Sequence, residues 1–123
     1  MDNEQRAKQV TFVTLEDGKD LIVSFAISAK HGSVDSLTLL RTPMYEPLLP
    51  VSERGVRVSY DGFPPCDDAF LERIRLVPPC VEVYATGGSY TLDVSAVEDD
   101  EIKLARRILQ RMNFDGQFVL ELR

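Results

Sequence analysis

The sequence predicts an α+β domain: a curved, mainly antiparallel sheet of about seven strands with two helices packed on one face. Three observations carry this expectation. Segments 21–27 and 80–95 alternate apolar and polar residues with the period of a half-buried strand. Glycine turns too short for a crossover join most neighbouring segments, which makes them antiparallel. Residues 67–77 and 95–112 instead repeat their apolar positions at helical spacing. With 123 residues, 44% of them hydrophobic, the chain can fill one core, so a single domain over 9–123 is expected after a flexible N-terminus at 1–8.

The element order reads βββ, long loop, β, α, ββ, α, β. Val10 to Leu15 is the first strand, and Asp17-Gly18 is the preferred pair for a two-residue hairpin. That turn places Glu16 opposite Lys19, Phe12 opposite Val23 and Val10 opposite Phe25. The third strand, Asp35 to Arg41, aligns its apolar face with the second through a three-residue loop at His31-Gly32-Ser33, pairing Ile27 with Leu37 and Phe25 with Leu39. His31 then sits at a solvated turn tip.

Residues 43–54 contain Pro43, Pro47 and Pro50, which rule out an ordinary helix or central strand. The stretch is nevertheless apolar, with Met44, Tyr45, Leu48, Leu49 and Val51, so it either covers one end of the core or offers a docking surface. Strand four spans Val56 to Tyr60. Asp67 and Asp68 suit a helix start, Phe70, Ile74 and Val77 give its apolar face, and Pro78-Pro79 stop it.

Segments 80–86 and 89–95 form a hairpin about Gly87-Gly88, with Val81, Val83 and Ala85 facing Val94, Leu92 and Tyr90. Ser95 and Glu98 read as a capping box for the last helix, whose stripe is Ile102, Ala105, Ile108, Leu109 and Met112. Phe118, Leu120 and Leu122 close the sheet. The expected core is Phe12, Val23, Phe25, Leu39, Val58, Val83, Leu92, Ile108 and Leu120.

Charge narrows the partners. Twenty acidic residues against 14 Lys and Arg give a formal charge of −6, and the arginines form no basic stripe, so nucleic acid and anionic membranes are not the expected ligands. No apolar run approaches the ~20 residues of a spanning helix. The acidic start Met1-Asp2-Asn3-Glu4 is unlike a secretory signal, which predicts a cytoplasmic protein.

Cys66 and Cys80 are expected to stay reduced, because a helix between them holds the two Cα atoms roughly 20 Å apart and a disulfide tolerates about 7 Å. No phosphate loop, nucleophile elbow or metal-ligand spacing occurs, so no catalytic residue, cofactor or metal is expected.

Two sets of partner-binding candidates remain. Tyr45, Glu46 and Arg54 lie in the proline-rich loop, where binding residues often reside. Glu82 and Asp93 fall opposite each other in the predicted hairpin register, and like charges so placed destabilise unless a neighbouring Arg41 or Arg57 separates them or a partner neutralises them. The reading that follows is a non-catalytic, acidic protein-binding module that docks or neutralises a basic protein. The alternative is a small-molecule-binding domain or small enzyme using loop 43–54. The partly apolar outer face near Val13, Leu15 and Ile22 predicts a homodimer.

Overall fold

A computed structural model describes residues 7–29, 32–62 and 64–123. The flexible N-terminus expected at 1–8 falls mostly on residues outside this set, as does the His31 turn tip. The chain is α+β with a largely antiparallel, strongly curved sheet. Among the described residues its eight strands are β1 (Lys8–Asp17), β2 (Leu21–Ser28), β3 (Val34–Arg41), β4 (Arg57–Tyr60), β5 (Cys66–Val77), β6 (Cys80–Ala85), β7 (Gly88–Asp93) and β8 (Val119–Leu122). One α-helix, α1 (Asp99–Met112), lies between β7 and β8, and two 3-10 turns, Pro43–Leu48 and Val51–Glu53, fill the proline-rich connection.

The strand order is β4-β3-β2-β1-β7-β6-β5-β8, and β4 also pairs with β5. Strands β1 to β7 therefore close into a barrel, with β8 added beside β5. The seam between β1 and β7 is parallel and short, Lys8 opposite Leu92 and Gln9 opposite Asp93. Strand β8 runs parallel to β5, and the other pairings are antiparallel. Among the described residues no helix is long and apolar enough to cross a membrane.

Residues 67–77 are strand, not helix. The segment places Ala69 and Leu71 in the core, then Ile74 and Leu76, with Arg73 and Arg75 on the other side. A register shift between Leu71 and Arg73 inserts one residue, so the buried positions switch phase. That bulge gives Leu71 and Ile74 a three-residue spacing, which imitates a helical stripe. Pro78 and Pro79 make the tight turn into β6, where Val77 faces Cys80. Both cysteines are free as expected, but no helix separates them: Cys66 opens β5, and Cys80 opens β6 just beyond its far end.

A bulge also resets β1. The turn to β2 contains Gly18, Lys19 and Asp20, so Asp17 faces Leu21 and Val13 faces Phe25, three residues away from the predicted register. An odd shift exchanges the two faces of a strand. Phe12, expected in the core, is 51% exposed, while Val10 and Val13 are buried. The bulge between Val10 and Phe12 lets both valines reach the interior although they lie three residues apart.

In β2–β3 the loop is longer than predicted, with Ser28 opposite Val34 and Phe25 opposite Leu37. This even shift preserves the apolar face. The β6–β7 turn is Thr86-Gly87, where Gly87 takes φ 84°. Val83 consequently faces Tyr90, and Val81 faces Leu92.

The Ser95 capping box does not form. Glu98 is the N-cap of α1 without a side-chain cap, and the Ser95 amide donates instead to Asp93 Oδ1 at 2.9 Å. The stripe of α1 is buried as predicted and packs on β1, β2 and β8. Its last turn lies where β1 ends and β3 ends, with Arg111 paired to Asp17. Leu120 packs against the core only partly buried.

Candidate functional site

The proline-rich connection is ordered from beneath. Arg41, the last residue of β3, is 1% exposed, and its guanidinium grips Glu46 through two bonds of 2.8 Å. The same group reaches Asp115 at 2.9 and 2.7 Å and the Met112 carbonyl at the end of α1 at 2.7 Å. The Phe114 ring covers it, 4.2 Å from the guanidinium carbon. Burial opposes the charge on Arg41, but the hydrogen bonds and charges of Glu46 and Asp115 outweigh it, so the guanidinium stays charged. Arg41 thereby ties together a strand end, the loop and the C-terminus of α1.

This changes the roles of the loop candidates. Glu46 is 8% exposed and fully engaged with Arg41, which makes it structural. Arg54 donates to the Leu49 carbonyl at 3.0 and 3.1 Å and braces the second 3-10 turn. Tyr45 alone of the three faces solvent. Around it the pinned loop presents Met44, Leu48 at 82% exposure and Val51 at 70%, with exposed Phe114 near the Arg41 end. The hollow beside Tyr45 and Glu46 measures about 140 Å³.

The acidic pair does not exist. Glu82 faces Thr91, and Asp93 faces Cys80, because the hairpin turn lies one residue earlier than predicted. Glu82 is answered by Arg75 at 3.5 Å and by the Tyr84 hydroxyl, which donates at 2.9 Å. The arginine that answers Glu82 is Arg75 of β5, a segment whose apolar spacing predicts a helix. The outer-face dimer expectation also loses a member, since Val13 points inward and Phe12 is exposed in its stead.

A second polar cluster lies at the opposite end of the barrel. Tyr60 at the end of β4 and Tyr90 in β7 pack with centroids 5.2 Å apart, tilted by 58°. The Lys8 ammonium sits 5.6 Å from the Tyr60 centroid. The Tyr60 hydroxyl donates a long bond of 3.4 Å to Asp35, and Asp61 accepts from the Ser36 amide at 2.5 Å. Burial, then Asp35 and Asp61, push the Tyr60 phenol up. Burial and a hydrogen bond to the Cys66 sulfur push Tyr90 up to about 12. Gly62 closes over this group, and a methyl added there would run into the Tyr60 hydroxyl and the Asp35 carboxylate.

Sequence reasoning missed this cluster because its residues come from five strands and their pairing had to be known first. Among the described residues no group of three or more His, Cys, Asp and Glu side chains is arranged to hold a metal. No known protein family, curated protein or solved structure matches the chain.

Proposed function

We propose that the protein is a non-catalytic, cytoplasmic protein-binding module whose docking platform is the proline-rich connection, with Met44, Tyr45, Leu48, Val51 and Phe114 as contact residues. The carrying observation is that Leu48 and Val51 stay largely exposed on a segment anchored by a buried ion-paired arginine. Exposed apolar side chains clustered on an ordered support mark interaction surfaces, and the ordering is already complete before a partner arrives. Covering one such side chain contributes about 1.5 to 3 kcal/mol.

The hollow beside Tyr45 is too small for the small-molecule alternative, whereas a second one of about 480 Å³ borders Val51, Ser52 and Arg54 in the same loop. Ligand pockets usually enclose about 300 to 1,000 Å³, and the space beside Tyr45 and Glu46 is about 140 Å³.

Site-specific photo-crosslinking tests the reading. A benzophenone side chain at Leu48 is expected to capture a discrete protein in cells of the native host, and the same group at Thr14 is not. Leu48→Asp should abolish capture by a crosslinker at Val51 while leaving the urea midpoint unchanged. Equal capture from Thr14 and Leu48, or none from either, overturns the platform. Sedimentation of wild type and Leu48→Asp decides whether the captured protein is a second copy of this chain.

A further inference from the structure

The Tyr60 cluster is part of a trough. Lys8 and Tyr60 line both of its hollows, one of about 640 Å³ and the other of about 480 Å³, so the Lys8 side chain bridges the trough where it lies over the ring. Apart from Lys8, the charged residues lining it among the described residues are carboxylates. Asp35 and Asp61 border the larger hollow, and Asp67 borders the smaller.

We propose that this trough docks an extended basic segment of a partner protein, one of whose ammonium or guanidinium groups replaces Lys8 on the Tyr60 face. Among the described residues the walls carry three carboxylates against one ammonium, which favours a cationic ligand. The electron-rich face of Tyr60 already accepts a cation, and Lys8 marks the seat. Two adjoining hollows that share Lys8 and Tyr60 suit an extended chain better than a compact ligand.

Lys8 is then an internal competitor. It keeps the seat filled in the free protein, so a partner must displace it, and only one carrying several positive charges gains enough from Asp35, Asp61 and Asp67 to do so. Departure of the Lys8 side chain needs no break in the seam, because Lys8 pairs with Leu92 through its backbone. The site is separate from the apolar platform, so variants at Leu48 leave it unaffected and each reading can fail alone.

The test is fluorescence anisotropy with a labelled octapeptide alternating Lys and Ser, and with its Glu-Ser counterpart, at low salt where exposed charges are least screened. The basic peptide is expected to bind and the acidic one not. Lys8→Met keeps the aliphatic stem, removes the competitor and should tighten binding by about threefold or more. Lys8→Gln serves as the second variant, with the same expectation. Asp35→Asn with Asp67→Asn should weaken binding by about tenfold, and Asp67→Asn alone, at an exposed position, should weaken it by a smaller factor. Asp99→Asn with Asp100→Asn, at the start of α1, should change nothing.

Tighter binding by both Lys8 variants together with weaker binding by the trough variants supports the proposal. Binding lost on removing Lys8 overturns it, since Lys8 would then hold an anionic group. Equal weakening by the α1 pair also overturns it, because attraction to the whole acidic surface would explain the data. Absence of binding by wild type and by both Lys8 variants overturns it outright.

Discussion

At the α1 end of the barrel an arginine is buried with its charge shared between two carboxylates, whereas at the trough end a lysine lies over one ring of a tyrosine pair with carboxylates along the walls. Both ends use a cation, an aromatic ring and acids, yet they differ in access to water. Arg41 makes five side-chain hydrogen bonds and has no exposed surface to speak of, so its arrangement admits one geometry. Lys8 rests on Tyr60 by a cation–π contact and remains partly solvated, so its place can be taken by another cation. The same residue types therefore give a fixed clamp in one place and an exchangeable seat in the other.

The largest break in this comparison is Arg41→Met. It leaves Glu46 buried beside an uncompensated Asp115 and releases the Met112 carbonyl, and it should cost about 3 to 5 kcal/mol in a urea melt. Arg41→Met with Glu46→Leu should recover part of the loss, because the orphaned carboxylate goes with the cation. Lys8→Met at the other end should leave the urea midpoint within about 0.5 kcal/mol. A loss under 1 kcal/mol for Arg41→Met would erase the distinction between clamp and seat.

A smaller effect sharpens the description of the wall between the two ends. Val13→Asn places an amide in the interior and should destabilise by about 2 to 4 kcal/mol. Phe12→Asn on the exposed side should stay within about 0.5 kcal/mol. The opposite ranking would restore the two-residue Asp17-Gly18 turn and reverse the faces of β1.

That pair also shows how far the sequence could be read. Strand β2 was legible because Leu21, Val23, Phe25 and Ile27 keep an uninterrupted alternation and all are buried. The neighbouring β1 and β5 each carry a bulge, and one extra residue is invisible to a pattern that assumes constant period. In β5 the bulge converted a strand into an apparent helix, and losing that strand concealed Arg75 as the partner of Glu82. The proline-rich loop was recognisable as an oddly apolar connection, but its anchor was not. Arg41, Glu46 and Asp115 are separated by up to 74 residues, and nothing local marks an arginine as buried. Lys8, Tyr60 and Tyr90 were hidden for the same reason, since barrel closure alone brings them together.

The smallest expected effects are pH dependences of opposite sign at the two ends. The Asp115 carboxyl is held below its ordinary range, first by its hydrogen bond to Arg41 and against the burial that raises it. Its folded pKa lies below the unfolded value of about 3.9, so its stabilisation is complete above that value and is lost as pH falls through the folded pKa. Tyr90 behaves in the reverse sense. Its folded pKa is pushed up to about 12, so its contribution is complete below the unfolded value of about 10 and is lost as pH rises through the folded one.

Urea midpoints measured across both ranges should decline at each extreme. Asp115→Asn should flatten the acid limb and leave the alkaline limb alone, and Tyr90→Phe should do the converse. Tyr90→Phe should also remove one late-ionising phenol from the alkaline absorbance titration. An acid limb unaltered by Asp115→Asn would mean that Glu46 alone holds Arg41, in which case the clamp tolerates loss of a carboxylate much as the trough does. The difference between the two ends would then rest on burial of the cation rather than on the number of acids around it.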